Sequence, residues 1–242
     1  MKNKLKQVRS SSFFVGAFTL IEVLVAMALM AAAMAITFST YFSVSKAWQR
    51  GVTLAENLNH GDYVMEQLVN GLRCAFYPPP QTNAQVARGT DYGFSLEKSG
   101  SDADSRDVIS WVKTGTALLG PDDALDYGLH RVQVSIEEDK DGLLAVATRA
   151  WRPYANPDSF DFSQLDPFFV SGKVRGLSCR VSTNRTDEGW EWQDEWSNEA
   201  TNHLPSAVEI ILYLDPIDPD DTPVELKRMV EIPVAPFSWS KK

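Results

Sequence analysis

Glu22 is the residue whose position most requires a chemical explanation. It lies inside the apolar stretch Gly16–Phe38, in which the other polar side chains are Thr19 and Thr37. A carboxylate at the centre of a membrane-spanning helix costs about 2.5–3.5 kcal/mol, and less near an end of the span. A buried charge of this kind is tolerable when it is paired. We therefore expect Glu22 to meet a positive charge.

Clusters of aspartates are the second candidate for chemistry, because calcium binds several oxygen ligands. None of the clusters fits an EF-hand loop, and solvated loop acids are the better interpretation of them. We expect no cofactor, with calcium as the alternative. The clusters are Asp102/Asp104/Asp107, Asp122/Asp123/Asp126 and Asp215/Asp218/Asp220/Asp221.

Histidines and cysteines do not indicate an enzyme. His60, His130 and His203 share no metal-ligand spacing, and the chain has no nucleophile or nucleotide motif. The two cysteines, Cys74 and Cys179, belong to no C-x-x-C pair. Outside the cytoplasm they could form a disulfide that closes a loop of roughly 100 residues and stabilises the fold by about 4.7 kcal/mol in the chain-entropy model. Two unrelated buried thiols are the alternative.

The charge distribution argues against nucleic acid as a partner. The 242-residue chain has a formal net charge of −9, yet residues 1–17 hold four bases and no acid. The remaining residues therefore carry −13. Such a body repels nucleic acid and anionic membrane surfaces.

The apolar stretch is long enough to cross a membrane once. Phe18–Phe38 contains 21 residues, and a spanning helix needs about 20. The basic flank before it predicts a cytoplasmic N-terminus, with the chain from about Lys46 onward exported. A cleaved secretory signal ending at Ala33-Met34-Ala35 and a plain signal anchor are alternatives, but neither explains Glu22.

The segment Phe18-Thr19-Leu20-Ile21-Glu22 resembles the processing site of type IV prepilins and type II secretion pseudopilins. The resemblance implies that a prepilin peptidase and methyltransferase removes the leader after Ala17 and methylates the new amine of Phe18. The family usually has Gly before the cut, so cleavage after Gly16 is an alternative. Glu22 would then be the assembly contact that neutralises the terminal amine of a neighbouring subunit.

A helical pattern continues beyond the membrane. Val64, Leu68, Leu72 and Phe76 form one apolar stripe. The stripe predicts a helix from Phe18 to about Phe76, ending before Pro78-Pro79-Pro80. Gly51, Gly61 and Gly71 are predicted bends, or breaks between two helices. These three glycines are the weak points of the predicted helix.

The rest of the chain alternates with period 2 and predicts antiparallel strands, one face of which packs on the helix. Acids and Gly142 between two strands predict a hairpin turn. The fold class is therefore α+β, a long N-terminal helix packed on antiparallel sheet. The predicted strands are Tyr92–Glu97, Asp107–Lys113, Leu129–Glu137, Leu143–Trp151, Val174–Val181, Ala207–Leu214 and Val224–Ile232. The predicted regions are a leader at 1–17, a membrane half of the helix at 18–40, a soluble half at 41–77 and a globular domain at 78–242.

Three tryptophans form an unusual cluster in the polar segment Gly189–Trp196. Trp190, Trp192 and Trp196, interleaved with acids, could contact a partner. The alternative is that Trp190 and Trp192 anchor a short hairpin on the sheet.

The back half of the chain is similar to minor pseudopilin J of type II secretion. The similarity lies in the strand Val174–Val181, the following Gly189-Trp190, the segment Leu204–Ile210 and the last strand, which contains Glu225–Arg228. It implies the pseudopilin fold and no catalysis. It also implies partnership with pseudopilins I, K and H and the major pseudopilin in a tip complex that primes pseudopilus assembly. The implied location is the inner membrane, with the globular domain in the periplasm.

Two other functions stay open on the sequence. One is a minor pilin of a type IV pilus or DNA-uptake machine. The other is a membrane-anchored binding protein outside any filament, which would keep its leader.

Overall fold

The computed structural model describes residues 19–77, 93–121, 123–153, 161–187, 189–196, 204–218 and 220–235. The chain divides into two compact units, Met1–Gly51 and Val52–Lys242.

A single helix, α1, runs from Leu20 to Arg73 over 54 residues. It ends three residues earlier than the apolar stripe predicts, because the next residues pair with a strand. Ala75 forms an isolated antiparallel bridge with Lys113, and the Phe76 N–H donates to the Val112 carbonyl at 2.8 Å. Its predicted start at Phe18 lies outside the described residues.

The glycines of α1 do not break the helix. Two of them lie where the helix packs closely against a sheet. A Cβ at Gly61 would lie 2.5 Å from Leu226 Cδ1, and one at Gly71 would lie 3.0 Å from Trp111 Cζ2, whereas one at Gly51 would meet no atom of the described residues within 4 Å. The prediction of breaks is therefore wrong, and close packing explains Gly61 and Gly71.

The strands form two antiparallel sheets, as the period-2 pattern predicts. One sheet has five strands in the order β1-β2-β3-β4-β5, and the other has four in the order β7-β6-β8-β9. The strands are β1 Ser95–Glu97, β2 Val108–Lys113, β3 His130–Glu138, β4 Leu144–Trp151, β5 Phe168–Ser171, β6 Val174–Thr186, β7 Gly189–Gln193, β8 Ala207–Leu214 and β9 Val224–Glu231.

Two parts of the sheets are absent from the predicted strand pattern. β5 has only four residues and pairs with β4 across a register shift, so it is too short to alternate visibly. β6 continues past Val181 through five polar residues and pairs there with β7 across a second register shift. In that stretch, cross-strand pairing replaces apolar alternation as the cause of the strand.

The hairpin between β3 and β4 confirms the prediction made from its acids and glycine. Asp139 Oδ1 accepts from the N–H groups of Asp141 at 2.8 Å and Leu143 at 3.0 Å. Gly142 has a φ of 76°, a conformation that costs glycine little. The side chain of Asp139 therefore organises the turn, and Gly142 permits its backbone.

One hydrophobic core joins the second half of α1 to both sheets. Val64, Met65, Leu68, Val69 and Leu72 of α1 are buried in it together with residues of both sheets. The helix stripe predicted from the sequence is therefore the face that packs on the sheets.

The two sheets are also linked through their backbones. Arg106, just before β2, forms a parallel bridge with Leu177 of β6. The Leu177 N–H donates to Ser105 at 2.8 Å, and the Asp107 N–H donates to the Leu177 carbonyl at 3.0 Å. The start of β2 is thus tied to the middle of β6.

Candidate functional site

The first half of α1 presents an exposed apolar surface. Its most hydrophobic 18-residue window has a mean hydropathy of 2.3 and no buried residue, and α1 is the one helix among the described residues that could cross a membrane by length and composition. Leu20 is 81% exposed and Phe42 is 67% exposed. About 20 residues of helix span the roughly 30 Å of a bilayer core. We expect this surface to be covered by lipid or by other apolar helices, because a large apolar surface in contact with water is unfavourable.

Glu22 and Thr19 hold each other at the start of this surface. Glu22 Oε2 accepts from the Thr19 backbone N–H at 3.1 Å and from Thr19 Oγ1 at 3.1 Å. Thr19 Oγ1 in turn accepts from the Glu22 N–H at 3.4 Å. This reciprocal pattern is a capping box, in which two side chains satisfy backbone donors that the helix leaves free. The carboxylate also lies at the positive end of the helix dipole.

Thr19 is a residue of the site that the sequence reading missed. The signal for it was present, since Thr19-Leu20-Ile21-Glu22 before an apolar run is the T-x-x-E pattern of a capping box. Ala17, Phe18 and the alternative Gly16 lie outside the described residues, so cleavage and methylation remain predictions. The part of the predicted site that the structure describes is therefore Glu22 with Thr19 beside it.

Two other threonines in this half of the helix donate their hydroxyl hydrogens to backbone carbonyls of the preceding turn. Thr37 Oγ1 donates to the Ala33 carbonyl at 2.8 Å, and Thr40 Oγ1 donates to the Ile36 carbonyl at 2.9 Å. In lipid such internal bonds avoid the cost of an unpaired polar group. The segment therefore suits a membrane despite its threonines.

The three tryptophans occupy two different environments. Trp190 and Trp192 lie on the short strand β7 and are partly exposed, with ring centroids 6.3 Å apart. Arg185 lies 5.8 Å from the Trp190 ring and Arg180 lies 5.2 Å from the Trp192 ring, distances typical of cation–π contacts. The structure thus contains the hairpin that was the alternative interpretation, and partner contact at this face stays a prediction.

Trp196 is a core residue. Its side chain is 3% exposed, and it exchanges backbone hydrogen bonds with Leu96 of β1, at 2.9 Å and 3.3 Å. A buried ring of this kind packs the two sheets and is not free to receive a partner. Trp196 is therefore buried while Trp190 and Trp192 are partly exposed, so the three rings do not share one exposed surface.

Asp107, a member of the first candidate calcium cluster, is fully buried and already has four donors. Its Oδ2 accepts from Lys98 Nζ at 2.8 Å and from the Cys179 N–H at 2.7 Å. Its Oδ1 accepts from the Ser99 N–H at 3.1 Å and from Ser105 Oγ at 3.2 Å. The carboxylate therefore joins the two sheets and has protein donors on both oxygens, whereas Asp102 and Asp104 are exposed.

The other candidate calcium residues do not gather either. Asp123 Oδ1 accepts from the Leu125 N–H at 2.9 Å, and its neighbour Asp122 lies outside the described residues. The backbone carbonyl of Asp215 accepts from Asn57 at 3.0 Å. Within the described ranges, no three His, Cys, Asp or Glu side chains are placed to hold a metal ion. Calcium therefore stays the alternative stated from the sequence.

Both cysteines are free thiols in the structure, Cys74 exposed and Cys179 buried. Burial raises the pKa of the Cys179 thiol, and the neighbouring Asp107 carboxylate raises that pKa further. Cys179 is therefore an inert core residue in this state. Cys74 is exposed, so it does not fit the alternative of two buried thiols, and a disulfide between Cys74 and Cys179 stays a prediction.

Two of the sequence's basic residues form a buried pair beside the end of α1. Lys113 Nζ contacts His130 Nε2 at 2.9 Å and donates to the Gly115 carbonyl at 2.7 Å. Burial lowers the pKa of Lys113 to about 8. Burial, with the nearby lysine charge, also lowers the pKa of His130. His130 thus accepts a hydrogen bond from Lys113 as a neutral imidazole, and this contact explains the buried histidine without a metal ion.

Comparison with family models matches residues 39–219 to protein J of the type II secretion system. The match covers about three quarters of the chain. It begins inside α1 and extends through β8, so it includes the soluble part of the helix and most of both sheets. No curated protein matches the chain.

Proposed function

The chain belongs to the type II secretion system protein J family, and on that premise we propose that this minor pseudopilin joins the tip complex that primes pseudopilus assembly. The observation that carries the proposal is the unburied apolar half of α1, which continues without a break into a helix packed on a folded body. A surface of this kind can lie in the membrane before assembly and against other helices afterwards. The helix of the subunit is thus suited to both places.

The expected partners follow from that role. Membership of the family implies interaction with other pseudopilins. We propose types I, K and H and the major pseudopilin as those partners, together with the prepilin peptidase and methyltransferase. In this role the chain supplies packing surfaces and catalyses nothing itself.

The proposed location is the inner membrane, crossed once, with the globular unit in the periplasm. The leader before the span carries four basic residues and no acidic residue, and this distribution favours a cytoplasmic N-terminus. The pseudopilus would then carry the globular unit outward in the periplasm during export of folded proteins.

Intact mass and N-terminal sequencing of the protein from host membranes that contain the prepilin peptidase test this proposal. The expected first residue is N-methyl-Phe18. A first residue of Ala17 would move the cut to Gly16 and Glu22 to position 6. Retention of Met1, or a start near Ile36, would show an anchored or secreted protein and refute the filament role.

Site-specific cross-linking separates the tip complex from other filament roles. A photoreactive residue placed at exposed Tyr63 of α1 should yield products with the I and K types in cells that contain the whole secretion system. Products with the major pseudopilin alone would place the chain in the shaft and contradict the tip assignment.

A further inference from the structure

The segment Tyr41–Arg50 of α1 is exposed along almost its whole length. Tyr41 is 66% exposed, Phe42 is 67% exposed and Trp48 is 75% exposed. The rings of Tyr41 and Phe42 meet edge to face, with their centroids 5.9 Å apart. The buried residues of α1 begin only at Asn57. Packing on the sheets therefore does not explain the aromatic side chains of this segment.

Lys46 and Arg50 are the first charged residues after the apolar span. The 23 residues between Glu22 and Lys46 carry no charge. Both bases are exposed, and their spacing of four positions places them on one face of the helix. No acid lies three or four positions from Lys46, so no ion pair within the helix neutralises it. Bases normally concentrate on the cytoplasmic side of a span, and two on the proposed periplasmic side require an explanation.

Helix geometry places this segment at the outer edge of a bilayer. A span of 20 residues that ends at Phe42 begins at Val23 and is about 30 Å long, the thickness of the hydrocarbon core. The Cα atoms of Lys46, Trp48 and Arg50 then lie about 6, 9 and 12 Å beyond that of Phe42. Side chains of a helix tilt toward its N-terminus, which here is the membrane side, and long basic side chains extend toward the interface. The charged groups and the indole ring therefore reach the headgroup layer, which is roughly 5–8 Å thick on each side.

Phospholipid headgroups match the chemistry that this segment presents. Tryptophan and tyrosine are favoured at membrane interfaces, because each ring has an apolar body and a polar edge. A phosphate is an anion, to which ammonium and guanidinium groups donate charge-assisted hydrogen bonds. The chain after the leader carries a net charge of −13, so an anionic surface would repel most of it. The two bases stand where the acidic chain and the membrane meet.

We propose that Tyr41, Lys46, Trp48 and Arg50 form an interfacial anchor, which binds the phosphate headgroups of anionic phospholipids at the outer face of the inner membrane. This inference rests on the proposed location of the chain and does not require the tip complex. The aromatic rings fix the depth of α1 in the bilayer. The two bases offset the repulsion between an anionic surface and the acidic body.

Quenching by brominated phospholipids tests the anchor on the full-length chain in vesicles. Bromine atoms on an acyl chain quench a tryptophan that lies in the same bilayer. Trp48 is the one tryptophan of α1, and the other six come at residue 111 or later. The vesicles contain phosphatidylcholine with an equal amount of either brominated phosphatidylcholine or brominated phosphatidylglycerol. Trp48→Phe identifies the quenched signal, and Trp190→Phe is the matched control.

We expect a quenched signal that Trp48→Phe removes and Trp190→Phe keeps. Brominated phosphatidylglycerol should quench it more strongly than brominated phosphatidylcholine, with a preference in affinity of roughly fivefold or more. Added salt should weaken that preference.

Charge variants assign the preference to the two bases. Lys46→Gln and Arg50→Gln should each reduce it, and the double variant should abolish it while quenching by brominated phosphatidylcholine remains. Lys140→Gln is the matched control, because Lys140 is an exposed lysine in the hairpin between β3 and β4, and it should change nothing.

Several results would overturn the inference. Equal quenching by the two brominated lipids would do so, and so would a preference that the double variant keeps. A Trp48 signal that neither lipid quenches would show that another surface, such as a second copy of α1, covers the segment. Flotation of the vesicles on a density gradient separates these results from failure of the proposed function. A chain that does not float with the vesicles refutes the membrane location itself, whereas a chain that floats without lipid preference refutes the anchor alone.

Discussion

Replacing Asp107 by asparagine tests whether its carboxylate is the polar junction of the two sheets. Four donors converge on its two oxygens, from Lys98, Ser99, Ser105 and Cys179. Asparagine has one acceptor oxygen and one donor nitrogen, so two of the four donors would face another donor. The amide can turn its oxygen to only one of the two donor pairs, Lys98 with Cys179 or Ser99 with Ser105, and the Lys98 side chain is 28% exposed.

The expected loss of unfolding free energy is about 3–5 kcal/mol. Hydrogen bonds to a charged group contribute about 1.5–3 kcal/mol each, so the loss of two costs about 3–6 kcal/mol. Removing one partner of a buried ion pair costs about 3–5 kcal/mol, and the two ranges overlap at the expected value. A loss of that size is a large part of the stability of a typical domain.

Urea unfolding of the full-length chain in detergent micelles, followed by tryptophan fluorescence, measures this loss. Asp104→Asn is the matched control, because Asp104 is an exposed acid three residues away, and it should change stability by less than about 0.5 kcal/mol. A loss below about 1 kcal/mol for Asp107→Asn, or equal losses for both variants, would refute the assignment of Asp107 as a buried junction.

Three further predictions concern the body of the protein. Trp196→Ala should lose about 3–5 kcal/mol of unfolding free energy, since its buried ring would leave a cavity, whereas Trp190→Ala should lose about 1 kcal/mol or less; equal losses in urea unfolding would contradict the separation of the two rings. Gly71→Val should lose about 1–3 kcal/mol because its side chain meets the Trp111 ring, and Gly51→Val, which meets nothing, is the control in the same thermal melt. Lys113 has a pKa of about 8 when folded and 10.5 as its ordinary value, so the unfolded chain binds more protons between these two pH values. The stability of the unchanged chain relative to Lys113→Met should therefore rise by up to about 3 kcal/mol from pH 8 to 10.5, and a difference that is flat or falls with pH in urea titrations would refute the buried, low-pKa assignment.

Much of the fold was predictable because its signals are local. The apolar run of α1 and the stripe from Val64 to Leu72 are both patterns among near neighbours in the chain, and such patterns identify a helix. Alternation along β2, β3, β4, β8 and β9 likewise places their bounds within one or two residues of the structure. Within the site, Glu22 stands out from sequence alone because a charge in an apolar run is rare.

Other features were predictable in principle and were missed. The T-x-x-E spacing of Thr19 and Glu22 is a local pattern of the same kind, although the prediction for this site used only the charge of Glu22. The capping box is the part of the site that a closer local reading would have found.

Contacts between residues far apart in the chain were beyond such reading. Gly61 and Gly71 look like helix breakers when each is weighed by its own propensity, but the sheets approach the helix there and need the space. Asp107 looks like one acid of a cluster at the start of a predicted strand, and it is the donors after β1 together with the Cys179 N–H of β6 that make it a buried junction.

Trp190 and Trp196 are only six residues apart and similar in their surroundings along the chain, yet one lies on an edge strand and the other in the core. Their burial depends on which strands pair, and the pairing of β6 with β7 and of Trp196 with Leu96 joins segments through the whole three-dimensional arrangement. The amino-acid pattern therefore determined the long helix, its apolar half and most of the strands, because those depend on near neighbours. The tertiary structure decided which polar groups are buried and where the helix meets the sheets. These features depend on packing between residues that are far apart in the chain and come into contact only when it folds.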